Sequence, residues 1–445
     1  VEESEASGRK ASGVSVLAWV LYDFANTIFS VSILTVFFPL WVEEVAGSGA
    51  LLVNAAIAVS ALLVVLTAPA LGAIADLRQR RVPYLVVLTL AAVGLTAVLD
   101  AGGVAVGLAL FVAADLCFQS ALVFYNALLP AVSVGRGTGR VSGYGTAAGY
   151  VGSILALLVL TPFVSEGETL RELLGPFDGF LETGGERNAN AFVPTAVLYL
   201  LFSLPAFFLV PDPKVREPRP VSLVAAYRDV ISTVRNMRGY AGVGVFMFAT
   251  LLYMDAANTA VSNMALYGRV VFGMDSGQVR NLLLFSTVFA VVGSAGCGIA
   301  SDRFGPKKAL LGVLLLWVAA ISLAVVAVGV WMLYVAGPLV GIALGGTWTV
   351  SRAMLVALSP PEKLGEFFGI FSLAGKISAV AGPALTAALL FMLGDLGPTA
   401  YRISVGSLVA VMAAGILLLL RVPDARPDPT VERYASEAGP LDSGP

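Results

Sequence analysis

The sequence predicts an all-α membrane protein of twelve transmembrane helices in two pseudo-symmetric six-helix bundles, and three observations predict it. Hydrophobic residues fill 58% of the 445 positions and charged residues only 13%, with a mean hydropathy of +0.88. A soluble domain carries about 25% charged residues, so this chain lacks the polar surface that a water-soluble fold of its size needs. The apolar residues also come in long continuous runs. A spanning helix takes about 20 residues, whereas the strands of a membrane barrel would alternate. Finally, a set of polar residues inside the first run recurs inside the seventh.

Taken in order, the runs between polar or Pro/Gly breaks give spans at 14–42, 51–75, 82–99, 104–129, 144–164 and 191–210. A second set follows at 241–267, 279–300, 309–328, 331–355, 368–393 and 401–420. The first run is too long for a signal peptide and lacks a small-residue cleavage pattern. Residues 165–190 read as a polar, Gly-rich loop. The charged linker 211–238 divides six spans from six, and its middle, 221–234, suits a surface helix. The expected organisation is a tail at 1–13, a bundle at 14–210, the linker, a bundle at 239–420 and a disordered, Pro- and acid-rich tail at 421–445.

Charge sets the expected orientation. With a cytoplasmic N-terminus, 20 of the 27 Lys and Arg fall in inside segments, among them Arg78, Arg80, Arg81, Arg136, Arg140, Arg303, Lys307 and Lys308. Five fall outside, and Arg352 and Lys376 lie within spans. That excess selects cytoplasmic termini. The net charge of −2 and the absence of basic runs interleaved with aromatics give no sign of nucleic acid. There is no histidine, and Cys117 and Cys297 sit in apolar runs, so neither a metal site nor a disulfide framework is expected. No cofactor is implied, and no P-loop is present to bind ATP. The chain offers no nucleophile elbow or metal-ligand spacing, which argues against an enzyme.

The repeat is explicit. Asp23, Ala25, Asn26, Thr27 and Ser30 recur as Asp255, Ala257, Asn258, Thr259 and Ser262, all at an offset of 232. After the second span of each half, Gly72, Asp76, Arg80 and Arg81 are echoed by Gly298, Asp302, Lys307 and Lys308, with Arg303 following the second aspartate. Gly143 and Gly149 are echoed at an offset of 226 by Gly369 and Gly375. Six spans repeated in one orientation imply a two-fold axis along the membrane normal, with a solute site between the halves.

The turns GAIADLRQRR and GIASDRFGPKK resemble the signature loop of the major facilitator superfamily, with Gln79 where glycine is usual. That resemblance implies the major facilitator fold and a latch between halves on the cytoplasmic side, formed by Gly72, Asp76, Arg80, Arg81, Gly298, Asp302, Arg303 and Lys307. The stretches WVLYDFANTIFSVSILTVFFPLW, VFYNALLP, ALYG and SRAMLVALSPPEKLGEFFGIFSLAGKISAVAGP resemble one branch, the autophagy-related vacuolar amino-acid effluxer and its bacterial homologues. LLYMDAANT departs from that branch's usual wording. Its eukaryotic members imply amino-acid efflux, and the architecture implies a monomer.

Charged side chains at mid-span cost about 2.5–3.5 kcal/mol, so each needs a reason. Asp23, Asn26, Thr27 and Ser30 fall at i, i+3, i+4 and i+7, a stripe repeated by Asp255, Asn258, Thr259 and Ser262. The two stripes are expected to face each other as a central site with two carboxylates, one able to carry a proton. The alternative is interhelical hydrogen bonding. Lys376 is expected near mid-bilayer, pairing with an aspartate or receiving a solute carboxylate. Asp115 and Gln119, one turn apart, form a further pair. Arg352, near the cytoplasmic end of its span where long side chains snorkel, reads as a structural salt-bridging residue, and Trp41 and Trp331 read as interfacial belt residues. Tyr22, Tyr125, Asn126 and Tyr150 lie near the expected site. The expected function is secondary transport of a small polar or zwitterionic solute, an amino acid foremost, coupled to protons across an inner membrane. The alternative on the same fold is export of amphiphiles such as lysophospholipids or drugs.

Overall fold

The computed structural model describes residues 11–425 apart from 48, 79, 165–186, 213–222 and 241. The side chains at 49, 50, 78, 187, 223, 224, 238 and 377–380 are likewise not described. Gln79, most of the 165–190 loop, the first ten residues and the tail from 426 therefore lie outside the described residues.

Among the described residues, twelve apolar helices follow one another. They are α1 (Gly13–Ala46), α2 (Gly49–Arg78), α3 (Val82–Ala97), α4 (Gly103–Ala127), α5 (Thr138–Val164) and α6 (Phe192–Leu209), then α7 (Val243–Phe272), α8 (Ser276–Phe304), α9 (Pro306–Val326), α10 (Val330–Leu358), α11 (Leu364–Leu393) and α12 (Pro398–Leu420). Eleven of these are long and apolar enough to cross a bilayer. The twelfth, α3, has 16 residues, about 24 Å at 1.5 Å per residue. Asp100, Gly102 and Gly103 follow it, and its run ends two residues before the expected limit. An amphipathic helix, Leu223–Arg235, lies in the linker where one was expected.

Several helices start earlier than hydropathy suggests. The first turn of α5 reads Thr138, Gly139, Arg140 and that of α11 reads Leu364, Gly365, Glu366, polar or flexible residues that an apolar window excludes. Within α1, Ser30–Phe37 widens to a π-helix. Pro39 has no N–H for the Thr35 carbonyl, which removes one α-helical bond at this point, and the Thr35 hydroxyl turns back to the Ser30 carbonyl at 3.2 Å.

Packing displays the two-fold relation. In the first half α1 packs on α5 and α6, α4 on α2 and α3, and α3 on α6. In the second, α7 packs on α11 and α12, α10 on α8 and α9, and α9 on α12. The principal contacts between halves, α5 with α8 and α2 with α11, also exchange under that relation. Small residues let these backbones touch, as membrane helices require when lipid supplies no hydrophobic drive. A side chain on Gly139 would meet the Gly298 carbonyl, and one on Gly72 would meet Gly365.

Each signature-loop aspartate caps a helix of the opposite half. Asp76 accepts the Gly365 and Glu366 amides, both at 2.8 Å, and Asp302 accepts the Gly139 and Arg140 amides at 2.8 and 3.0 Å. A carboxylate on a helix N-terminus satisfies orphan donors and meets the positive end of the dipole. These contacts lie on the side where the described residues begin and end. Ala11 there joins the α4–α5 loop through Val134 and Arg136, and Lys307 donates to the Leu420 carbonyl at 3.1 Å.

The basic residues divide. Arg81 pairs with Asp76 at 3.4 Å and donates to the Ala127 carbonyl at 2.6 Å. Arg303 lies over the Phe304 ring, and Arg80 stays exposed. Asp212, just beyond α6, accepts the Arg81 and Val82 amides. Burial pushes its carboxyl above the usual carboxylate range, against the pull of those amides and the Arg81 charge.

Trp41 corrects an expectation. It is fully buried between Phe38 and Phe192 in the first bundle, whereas Trp331 is exposed. Trp41 sits late in a 34-residue helix, but its ring is turned inward there, onto the aromatic residues of its own bundle.

Candidate functional site

The site grows from α1. Asp23 lies well inside that helix, and a side chain on Gly145 of α5 would collide with it and with Trp19. The small residue leaves room for the carboxylate against α5. From the other half, Arg352 of α10 reaches it, with Nη1 and Nη2 each 3.1 Å from Asp23 Oδ2. Arg352 also donates to Thr146 Oγ1 and lies 3.5 Å from Asn126 Oδ1.

Aromatic rings hold the pair in place. The guanidinium carbon is 5.7 Å from the Trp19 ring, Trp19 stacks on Tyr125 at 4.4 Å, and Tyr22 stacks on Tyr125 at 5.0 Å. Trp19 Nε1 donates to the Tyr125 carbonyl at 3.2 Å, and the Tyr22 hydroxyl meets Thr89 at 2.6 Å. Arg352 is only 7% exposed, so it does not snorkel. At this depth its charge finds Asp23 sooner than water, so the expected structural salt bridge forms, with a partner in the other half rather than at the interface. One polar atom in this cluster, Arg352 Nε, is buried without a hydrogen-bond partner among the described residues, and the Tyr125 hydroxyl lies against both Asp23 and Arg352. Buried donors are normally satisfied, so Nε has capacity to spare.

The facing stripes with two central carboxylates do not form. Asp255 is 4% exposed and accepts the Gly382 amide of α11, in its own half, at 2.6 Å. The cause lies in the repeat. Arg352 stands at the repeat offset of 226 from Asn126, so the first half offers Asp255 no cation where the second offers Asp23 one. Gly382, rather than the expected Gly375, takes the place against Thr259 that Gly149 takes against Thr27. Asn26 also leaves the stripe, because it is buried and accepts the Tyr199 hydroxyl of α6 at 3.3 Å.

The remaining candidates separate by environment. Asp115 and Gln119 do pair, at 3.0 Å, but Asp115 also takes the Ser60 hydroxyl at 2.5 Å and so ties α4 to α2 inside one bundle. Ser30 and Asn258 are half-buried midway along α1 and α7. Lys376 is half-buried in α11, and among the described residues no ion pair reaches it. The expected Lys376–aspartate pair is absent there because Arg352 and the Gly382 amide already hold the two acids. The pairing of Asp23 with Arg352 escaped sequence reasoning. Its signal was present, since Arg352 and Asn126 are repeat equivalents.

Comparison with known proteins agrees with this architecture. Residues 132–430 match the family model described as vacuole effluxer Atg22 like. An uncharacterized MFS-type transporter, YxiO of Bacillus subtilis (strain 168), is 24% identical and aligns over 92% of this chain and 94% of its own. Autophagy-related protein 22 of Yarrowia lipolytica is 24% identical, aligning over 55% of this chain and 44% of its own. The fold superposes on the E. coli fucose:proton symporter FucP with a TM-score of 0.68 at 14% identity, covering 91% of this chain and 98% of that one. A multi-pass helical bundle with two signature loops, matched over most of its second half and part of its first, is thus a major facilitator transporter, and the chain belongs to the Atg22-like vacuole effluxer family.

Proposed function

We propose that this transporter is a secondary carrier for a small zwitterionic solute, an amino acid foremost, moved by rocking of bundles 14–210 and 239–420 and coupled to protons. The observation that carries it is the Asp23–Arg352 pair, which joins the two halves about 15 Å from the start of α1. A zwitterion matches such a pair group for group. Its carboxylate would take the free capacity of Arg352 Nε beside the Tyr125 hydroxyl, and its ammonium would turn to Asp23. Ser30, Asn258 and the Lys376 ammonium, further along the helices, would line the approach. Asp115, Gln119, Asn26 and Asp255 then support the bundles rather than touch the solute.

The same pair supports proton coupling. Protonation of Asp23 frees Arg352, so proton and solute compete for one junction between the halves. The cytoplasmic side is taken as the one carrying the chain ends and the excess of basic residues, and the carrier as a monomer of an inner membrane. The aspartate caps close that side, so the state described is taken as the one open to the opposite face. The fucose:proton symporter, alike in fold, is coupled to protons as its name states.

The test uses protein reconstituted in liposomes with an internal pH dye, challenged with a panel of amino acids and lysolipids. Solute-dependent proton movement in the wild type, lost in Asp23→Asn and retained in Asp255→Asn, is the expected result. Solute uptake unaltered by Asp23→Asn would sink the mechanism, and movement of lysolipids alone would replace the solute class.

A further inference from the structure

The helix Leu223–Arg235 has no place in the transport site, yet its residues are sorted around the axis in an unusual order. At about 100° per residue, one side carries Ala226, Val230 and Thr233. These three face the protein. Ala226 packs in a cluster with Ala70, Ala73 and Ile74 of α2, and Thr233 is 1% exposed. Next around the helix come Val234, Tyr227 and Ile231, an apolar stripe that is 41–52% exposed. Arg235 and Arg228 follow, both exposed, and Asp229 and Asn236 complete the turn. Protein, hydrocarbon, cation and water-facing polar residues thus succeed one another in angular order, as expected of a helix lying in a membrane interface.

Two further observations place it there. The Tyr227 hydroxyl donates to the Leu66 carbonyl at 2.8 Å, and Leu66 lies within the apolar span of α2, itself 54% exposed. The ring therefore rests where lipid tails run. Beside it opens a groove of about 650 Å³ lined by Tyr227, Arg228, Ile231, Ser232, Arg235 and Asn236. Two guanidiniums, a hydroxyl and an amide above an apolar floor suit a phosphate group attached to acyl chains.

The inner side of this helix is wired to the latch. Lys363 donates to Thr233 Oγ1 at 2.6 Å, packs over Tyr240 and pairs with Glu366 at 3.4 Å. The amides of Gly365 and Glu366 are those that Asp76 holds. A helix pinned against the bilayer thus holds Lys363, and through it the start of α11, in the closed arrangement.

We propose that Leu223–Arg235 is a binding site for the phosphate headgroups of anionic lipids, and that occupancy of this site holds the two halves closed on the side carrying the chain ends. The site owes nothing to the identity of the solute. The leaflet facing this helix then sets the conformational equilibrium of the carrier.

The experiment places full-length protein in nanodiscs of phosphatidylcholine, either alone or with a minor fraction of phosphatidylglycerol. Spin labels on the α2–α3 loop and the start of α11 report the closed population, and native mass spectrometry reports bound lipid. Wild type should retain phosphatidylglycerol, and its closed-to-open ratio should rise about thirtyfold with two basic contacts engaged. R228Q/R235Q should lose both responses, and R228K/R235K should keep most of each. An equal response in R228Q/R235Q, or an indifferent wild type, overturns the proposal. So does soluble glycerol phosphate acting as well as the lipid, because the acyl chains would then be unnecessary.

Discussion

At the scale of the residue, the decisive feature is one charge placed without its repeat partner. Asn126 and Arg352 occupy equivalent positions, so a single substitution in a duplicated frame supplies Asp23 with a cation and leaves Asp255 with an amide. Removing one member of a buried pair leaves the other uncompensated, at about 3–5 kcal/mol. Arg352→Gln should therefore melt well below wild type in detergent, and adding Asp23→Asn should recover much of the loss. A double variant no more stable than the single would show that the two charges act independently. Gly382→Ala should also be disruptive, since its methyl would collide with Thr259 and Asp255. A melting temperature equal to wild type would contradict the packing described. The candidates legible in sequence included Asp23 because an aspartate in an apolar run stands out. Its partner was misplaced because hydropathy shows how deep a residue lies and not which way it reaches. Asn26 was misplaced for a related reason, as a stripe of i, i+3, i+4 and i+7 covers a wide arc and its edge turned to Tyr199.

At the scale of the element, helix ends carry the conformational chemistry. Asp76 and Asp302 each hold two amides of a helix in the other half, and loss of a capping carboxylate costs about 1 kcal/mol. Asp76→Ala or Asp302→Ala should shift the equilibrium about fivefold away from the state closed on the side of the chain ends. Labelling of a cysteine introduced beneath that seal, in a background lacking Cys117 and Cys297, would measure it. No change in labelling rate would remove both aspartates from the latch. Asp212 gives a pH signature of its own. Its folded carboxyl titrates above the unfolded value, so its contribution to stability is full below the unfolded range and fades as pH rises through the folded one. Thermal melts across that interval should show wild type losing stability as pH rises, and the loss should shrink in Asp212→Asn. Identical pH profiles would mean that the carboxyl titrates alike in both states. Helix number and order were legible in the sequence because each span is a long apolar run. The π-helical stretch at Ser30–Phe37 was not, since it depends on how Pro39 and its neighbours settle against the bundle.

For the whole molecule, the two-fold relation was readable from offsets of 232 and 226, and the structure returns it as a matched set of helix contacts. What the offsets did not disclose is how the halves meet, because the sequence of one half says nothing about which of its faces touches the other. Close backbone contact at Gly139, Gly298, Gly72 and Gly365 makes the seal, so bulk there should force it apart. Gly298→Leu should abolish the closed state while leaving each bundle folded, and the same cysteine-labelling assay should report permanent access. Labelling at the wild-type rate would mean that the seal lies elsewhere.

The two aspartate caps match in geometry but differ in surroundings. The ion pair at Asp76 involves side chains 11% and 8% exposed, whereas Arg140 beside Asp302 is 51% exposed. Dissolved ions screen an exposed pair and scarcely reach a buried one. Rising ionic strength would thus loosen the α5–α8 edge and spare the α2–α11 edge. The bundles would then part like a door on one jamb, swinging about α2 and α11, and the first gap for a solute would open beside α5.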